Sequence, residues 1–311
     1  MVILLRKAQL VAAVETTEGV PEIAQLTAAN AILVITPSFS ATQEQHEREN
    51  ISATMSPLKT ISGKRSAEIS FSVELKGSGT PGEPPKWRHL LRACGFAELP
   101  SATDVLYRPT SEAIPSLTIA LFEDGLRKTI WGARGTVDFA FTNGTFARMN
   151  FTFTGADFEV VDAPLLEGVA YMGTIPPIFM NSTFTVHGFN AVIQQVTFDM
   201  ANTVALRESV AAAGGHVSAF ITSRRPVGTI NPEMVSVATH PFYDEWRDGV
   251  EGTLTFSMGG EVGNRIEVTA PLVRYSGISE EDRDGVRTLS LDFELNTSPG
   301  DGDDELAIRI Y

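Results

Sequence analysis

The sequence predicts a mainly β protein: two related antiparallel β-sandwich or barrel domains, each with one short flanking helix. Three observations carry that prediction. Apolar and polar residues alternate strictly in one segment after another, turn dipeptides stand between those segments, and the same order of elements is met twice. The clearest alternation is Ser66–Leu75, with Ala67, Ile69, Phe71, Val73 and Leu75 on one face and Ser66, Glu68, Ser70, Ser72 and Glu74 on the other. A period of two over that length is the mark of a half-buried antiparallel strand.

Taken in order, residues 1–30 precede the first repeated unit and read as an N-terminal arm. The first domain is expected over 31–161. Its polar stretch Ser40–Ser62 is too long for a tight turn, and loops of that length in compact domains are usually functional or mobile. The strand Ser66–Leu75 follows. Pro85–Gly95 then places Trp87, Leu90, Leu91 and Cys94 on one face of a helix, with proline near its start and glycine just past its end. A short strand over Leu117–Phe122 leads to the turn Glu123-Asp124-Gly125. Alternation resumes at Val137, Phe139 and Phe141, and after Asn143-Gly144 at Met149, Phe151 and Phe153. Of these turn signals Asn-Gly is the stronger, because both central residues of a type I′ turn need positive φ.

Asp162–Pro177, with Pro164, Gly168, Gly173, Pro176 and Pro177, reads as the inter-domain connection, so 162–180 is expected as a linker and 181–311 as the second domain. Short strands are expected at Phe184–Val186 and Val196–Met200. A helix covers Pro241–Gly249, with Phe242 and Trp246 one turn apart. Strands follow at Leu254, Phe256 and Met258, after Asp284-Gly285 at Leu289, Leu291, Phe293 and Leu295, and finally at Leu306, Ile308 and Ile310.

The repeat rests on this order of elements, since residue identity is slight. Ala31–Phe39 resembles Ala191–Asp199, and each is followed by a polar stretch holding an Arg-Glu pair, Arg48-Glu49 or Arg207-Glu208. A glycine-led strand, a short helix, a hairpin and a closing strand come next in both. The offset falls from roughly 160 to roughly 140 residues, which places an insertion at Ala97–Ser116 of the first copy.

Composition narrows the function. Hydrophobic residues make up 43% of 311, enough for a substantial core, and no apolar run approaches the roughly 18 residues of a membrane helix. The charges near the N-terminus follow a short apolar patch, where a secretory signal has them before a longer one. A net charge of −14 argues against ordinary phosphate-contact binding of nucleic acid but suits a surface that must not hold it. The single cysteine, Cys94, reads as a small buried hydrophobe.

Catalytic signatures do not assemble. Gly77–Gly82 fits G-x-G-x-x-G, but its preceding strand alternates, and Pro81, Pro84 and Pro85 remove backbone donors a pyrophosphate would need. The histidines at 46, 89, 187, 216 and 240 show no metal-ligand spacing. The acidic stretch Asp301–Glu305 lacks the spacing of a calcium loop and reads, like Glu280–Asp284, as a solvated turn. No catalytic, cofactor-binding or metal-binding residue is assigned, and no cofactor is expected.

Several stretches resemble phage tail tube proteins. They are Leu4–Lys7 through Glu15-Thr16-Thr17-Glu18-Gly19-Val20-Pro21 and Thr27–Ile32, and the block Ile69–Gly79 with Pro84, Trp87, Leu90-Leu91 and Ala93–Phe96 behind it. The hairpin Asp124-Gly125, Ile130–Ala133 and Gly135–Phe139, closing on Phe153-Thr154-Gly155, completes the set. The resemblance covers the first half well and reaches the second through the repeat.

It implies a β-sandwich or barrel with a flanking helix, inner sheets that join into a tube wall, and rings that stack through an N-terminal arm and a long loop. Here those correspond to residues 1–30 and Ser40–Ser62. The implied assembly contacts are Leu4, Leu5 and Leu10 in the arm, Glu44, Glu47 and Arg48 in the loop, and Arg207 and Glu208 in the second copy. The family commonly forms hexameric rings of single-domain subunits. Two copies in one chain favour a homotrimeric ring of pseudo-sixfold symmetry over a hexamer. The expected setting is a virion tail assembled in the host cytoplasm, with other tail proteins as partners, DNA passing the lumen without specific binding, and no membrane. The rival readings are another tail component, such as a terminator or baseplate protein, and a carbohydrate-binding β-sandwich. The second would expose aromatics on loops, whereas Trp87, Trp131 and Trp246 sit in periodic elements where core packing is expected.

Overall fold

The computed structural model describes Leu4 and residues 6–300 and 302–311. The first half contains β1 (Ala8–Val14), β2 (Ala31–Ile32), β3 (Ile35–His46), β4 (Ile61–Glu74) and α1 (Arg88–Ala93). It continues with β5 (Phe96–Pro100), β6 (Val105–Pro109), β7 (Leu117–Glu123), β8 (Gly125–Thr142), β9 (Arg148–Gly155) and β10 (Asp157–Ala163). The second half runs β11 (Phe184–Val186), β12 (Gln195–Asp199), β13 (Thr203–Glu208), β14 (His216–Ser223), β15 (Val227–Ile230) and α2 (Phe242–Asp248). It ends with β16 (Glu251–Met258), β17 (Ile266–Arg283), β18 (Val286–Asn296) and β19 (Ala307–Ile310). The mainly β, antiparallel fold class read from the alternation is the one observed, with the two short helices in their expected places.

In the first half two layers enclose the core. One carries β2-β1-β7-β8-β10, the other β3-β4-β9-β8. The 18-residue strand β8 belongs to both. It changes layer at a register shift opposite Leu117/Ile119, where Gly132 takes φ +58. A side chain there would meet Ser218 Cα at 3.0 Å and the Val217 carbonyl oxygen at 3.1 Å, so backbone conformation and close approach both require glycine. In the second half β17, also 18 residues, plays the same part between β16 and β18, with its shift at Tyr275/Gly277.

The turns reverse one expectation. Asp124-Gly125 and Asp284-Gly285 carry positive φ at both residues, the type I′ signature, whereas only Gly144 of Asn143-Gly144 does. Asn143 is instead held by the Gln194 carbonyl, which receives its N–H at 2.8 Å.

Three segments differ from the sequence reading. Within the expected arm, Ala8–Val14 is a strand paired to β7 along its whole length and to β2 at Leu10 and Val11. Its run Leu10–Ala13 is buried on both faces, which is why no alternation marks it. The polar stretch Ser40–Ser62 is mostly the distal part of a β3·β4 hairpin, paired out to His46↔Ile61, with residues 47–60 as its tip. Both faces of that ladder are exposed, so it shows no period-two pattern. The insertion Ala97–Ser116 holds the β5·β6 hairpin, and β6 accepts the C-terminal strand β19 from the other half.

Each helix packs its apolar residues into the core. Trp87, Leu90, Leu91 and Cys94 are all buried against the first core, and the Trp87 indole N–H donates to the Lys76 carbonyl at 3.0 Å. Burial pushes the Cys94 thiol well above its ordinary range, in line with an inert packing residue. On α2, Phe242 is buried. Trp246 departs from the expected core packing: it is 40% exposed, because the helix turns that face to solvent.

The N-terminal motif Glu15–Gly19 has a clear structural cause. The Glu15 carboxylate is buried and accepts from the hydroxyls of Ser116 (2.6 Å) and Thr118 (3.0 Å) and from the N–H groups of Gly132 (2.7 Å) and Gly19 (2.8 Å). One side chain thereby ties the end of β1 to β7 and to the bend in β8. Glu15→Ala leaves those donors without a partner, and the expected loss is about 3 kcal/mol or more in urea unfolding monitored by circular dichroism. A loss within about 0.5 kcal/mol, the range of ordinary surface substitutions, would show that this network does not hold the bend.

Candidate functional site

The two halves meet in one sheet. Residues Asp138–Thr142 of β8 pair antiparallel with Gln195–Asp199 of β12, so β3-β4-β9-β8 continues directly into β12-β15-β18-β17. Beneath this seam lies an aromatic cluster drawn from both halves. Phe141 meets Phe256 edge-on at 4.9 Å between centroids, with Phe198 at 6.2 Å and Phe179 at 5.8 Å. Apolar residues of every strand in the shared sheet point towards that side.

The other face is mostly polar. Following the register, one row reads Ser72, Asn150, Asp138, Asp199, Val227, Glu294, Arg274. The next reads Glu74, Arg148, Ala140, Thr197, Thr229, Asp292. Towards the other end of β4 stand Ser70 and Glu68, opposite Thr152 and Thr154. Glu68 and Glu74 lie on the polar face, away from the core, as the alternation of Ser66–Leu75 places them.

Hydroxyls and amides knit this face together. Ser72 donates to the Asn150 side-chain carbonyl at 2.6 Å, Asn150 donates to Asp138 at 2.6 Å, and Thr197 and Thr229 share a hydrogen bond at 2.7 Å. Carboxylates supply most of the charge. Arg148 stacks over Phe146 at 5.0 Å, and Arg134 is engaged by the Ile114 and Ala219 carbonyls and by Glu18. At the seam Asp138 stands directly opposite Asp199. Burial lifts the Asp138 carboxyl above its ordinary range. The Asn150 hydrogen bond pulls it back, and the neighbouring Asp199 charge pushes it further up.

A second polar cluster joins the two hairpins. The β13·β14 hairpin, a separate two-stranded sheet, folds back over the first half. Gly214 accepts the Arg65 N–H at 3.0 Å, Arg65 grips Asp157 through two bonds of 2.5 and 3.0 Å, and Ser218 donates to Glu18 at 2.7 Å. The Ser218 hydrogen bond, then Arg134, holds Glu18 below the usual carboxylate range.

The expected assembly residues fall into distinct places. Glu44 and Glu208, far apart in sequence, are brought together by Lys64, whose Nζ lies 3.4 and 2.6 Å from them. Arg207 lies 4.0 Å from Glu18 and is exposed, as are Glu47 and Arg48 at the tip of the β3·β4 hairpin. Leu4 is half exposed. Leu10 is fully buried between β2 and β7, so it offers no surface in this fold, and the apolar run that suggested a contact is a core strand. Leu5, and Asp301 of the acidic stretch, lie outside the described residues. Sequence reasoning missed Asp138 and Asp199 as a pair, because only the β8·β12 register places them opposite each other.

Among the described residues no group of three or more His, Cys, Asp or Glu is placed to hold a metal, and no helix is long and apolar enough to cross a membrane. The shared sheet is covered on one face by core and carries hydroxyls and carboxylates on the other. The family model of the phage tail tube protein matches residues 6–295, and the chain belongs to that family. This family is structural rather than catalytic and belongs to the virion tail. No curated protein matches the chain.

The charge opposition at the seam has a measurable consequence. An aspartate raised in the fold binds its proton more tightly there than in the unfolded chain. Its contribution to stability is therefore present below its ordinary value, 3.8, and is lost as pH rises through the raised one. Asp138→Asn keeps the acceptor for Asn150 and removes the like charge, so it is expected to stabilise the protein at pH 7 by about 0.2–1 kcal/mol. In urea titrations that gap should close as pH falls to about 3, where the wild-type carboxyl is itself protonated. A variant less stable than wild type at pH 7 would contradict the assignment.

Proposed function

We propose that this chain is the wall subunit of a phage tail tube whose halves are a duplicated tube domain, 31–161 and 181–311 joined by 162–180. Three chains close a ring of pseudo-sixfold symmetry, and the rings stack into the conduit through which DNA is ejected. The observation that carries this reading is the correspondence of strand orders. β3-β4-β9-β8 is matched by β12-β15-β18-β17, each set with one short helix in chain order between its second strand and its 18-residue strand, and each ending in a hairpin from that 18-residue strand. Two equivalent sets side by side supply two sixths of a ring from one polypeptide.

On this reading the polar face lines the lumen. Its hydroxyls keep it wet, and its carboxylates repel phosphate, so DNA passes without the counterion-releasing contacts that would hold it. The β3·β4 tip, with Glu47 and Arg48 beside fully exposed Ile51 and Met55, is the stacking contact between rings, together with Leu4. Lys64 with Glu44 and Glu208 braces the distal end of that ladder, just below the tip. Assembly takes place in the host cytoplasm, and other tail proteins cap the ends of the tube.

Electron microscopy of the purified full chain at moderate salt, with light-scattering mass on the same sample, tests this. Stacked rings with an open channel and three chains per ring are expected. Rings of six chains would overturn the duplication. A protein that forms no ring at any concentration, even when supplied with the other proteins of its tail, would overturn the tube reading itself.

A further inference from the structure

We infer that the buried cluster under α2 binds one extra proton, carried by His187 between Glu245 and the Val273 carbonyl, and that this proton latches the helix to β17. The latch belongs to the single chain and does not depend on the ring. It follows from a count of donors and acceptors. His187 Nδ1 lies 2.8 Å from Glu245 Oε2, and its Nε2 lies 2.9 Å from the Val273 carbonyl oxygen. An ionised carboxylate and a carbonyl only accept, whereas a neutral imidazole donates from one nitrogen alone. The second contact therefore needs a second proton. The two side chains are 3% and 14% exposed, too little for water to take its place. Between a carboxylate and an imidazole the proton goes to the stronger base, the imidazole.

The backbone aims this ring. His187 and Gly188 have φ +49 and +75 in a type I′ turn whose ends, Val186 and Phe189, exchange both main-chain hydrogen bonds. A left-handed conformation at a residue with a side chain is uncommon, and here it points the imidazole under α2. Gly252 on β16 leaves the room, since a side chain there would come within 2.5 Å of the imidazole Cδ2.

Few other ionisable groups face the ring. His240, from the segment before α2, has Nε2 3.2 Å from the same Glu245 oxygen but makes no hydrogen bond, and its ring stacks on Phe189. Burial holds His240 below the ordinary histidine range; Glu245 opposes that and His187 adds to it, so the extra proton is not there. Tyr275 of β17 stacks on His187 at 4.6 Å between centroids. Burial, then Glu245, lifts its phenol well above the ordinary range, and it stays neutral. Asp244, Arg247 and Asp248 of α2 pair among themselves in solvent, and Arg274 of β17 is exposed. The other helix has no such latch. Trp87 and the Arg88–Glu98 pair hold α1, and burial pushes its His89 down to about 4.

The unfolded chain gives up this proton near the ordinary histidine value of about 6.5, and the folded chain holds it. The latch is thus complete below that value and is lost as pH rises to where the folded protein releases the proton too. Nitrogen-15 NMR of the full chain with labelled histidine, each of the five assigned by single substitution, reads the proton directly. At pH 7.5, where an ordinary histidine is about nine-tenths neutral, His187 should show two protonated ring nitrogens and His240 one. Hydrogen exchange reads the consequence. Between pH 6 and 9, after correction for intrinsic rates, amides of 242–249 should open about tenfold more often while those of 88–93 stay level. Glu245→Gln is the control, because its amide can donate to Nδ1 of a neutral His187, so both signatures should vanish with the fold kept. One protonated nitrogen on wild-type His187 at pH 7.5 would overturn the latch, as would a pH response of α2 that Glu245→Gln leaves unchanged. Should that variant not fold, the wild-type nitrogen spectrum decides alone.

Discussion

The molecule depends on one short piece of main-chain pairing, Asp138–Thr142 against Gln195–Asp199. Neither β8 nor β12 could end there alone, since each would leave a row of amides and carbonyls at an edge over a hydrophobic core. Joining them satisfies both edges and brings Phe141 under the seam against Phe198 and Phe256. Hydrogen bonding and aromatic packing coincide at the same residues, so the halves cannot separate without exposing the cluster. The pairing of β19 with β6 fastens the halves a second time, away from the seam.

What the sequence revealed and what it hid follow from the same physics. Strands with one wet face, such as β4, β9 and β18, alternate visibly because core and solvent alternate along them. Where the environment does not alternate, the signal vanishes. Leu10–Ala13 is buried on both faces and reads as an apolar patch; the outer half of β3 is exposed on both faces and reads as a polar loop. Glu44 and Glu208 were legible as charged loop residues. Their approach through Lys64 was not, because it requires knowing that β13·β14 folds back over the first half. Leu10 was misplaced for the same reason that β1 was missed.

Polar residues, not apolar ones, set the detailed shape of the first half. Glu15 gathers donors from β7, the bend of β8 and the turn at Gly19, and Glu18 draws in Ser218 and Arg134 a few residues later. Glu15 accepts hydrogen bonds through both carboxylate oxygens and Glu18 accepts two through Oε1, which makes a buried or half-buried charge tolerable and makes its loss costly. Gly132 lies where both networks and the β13·β14 hairpin converge, which explains why a strand of this length bends at that residue.

The polar face of the shared sheet follows a different rule. Serines, threonines and asparagine hydrogen-bond to one another across strands, Glu74 pairs with Lys76 at 2.9 Å and Glu294 with Arg225 at 2.7 Å, and Asp138 and Asp199 stand together without a cation between them. Asp138 opposite Asp199 is the limiting case: a core-stabilising arrangement would have placed a lysine or a hydroxyl there. Retaining two carboxylates raises the energy of the folded chain and leaves the surface negative at the very join between halves. A lysine would have relieved the repulsion. The sheet tolerates the repulsion because the seam is already secured from below by the phenylalanine cluster, which lets the chemistry of the exposed face vary independently of what holds the two halves together.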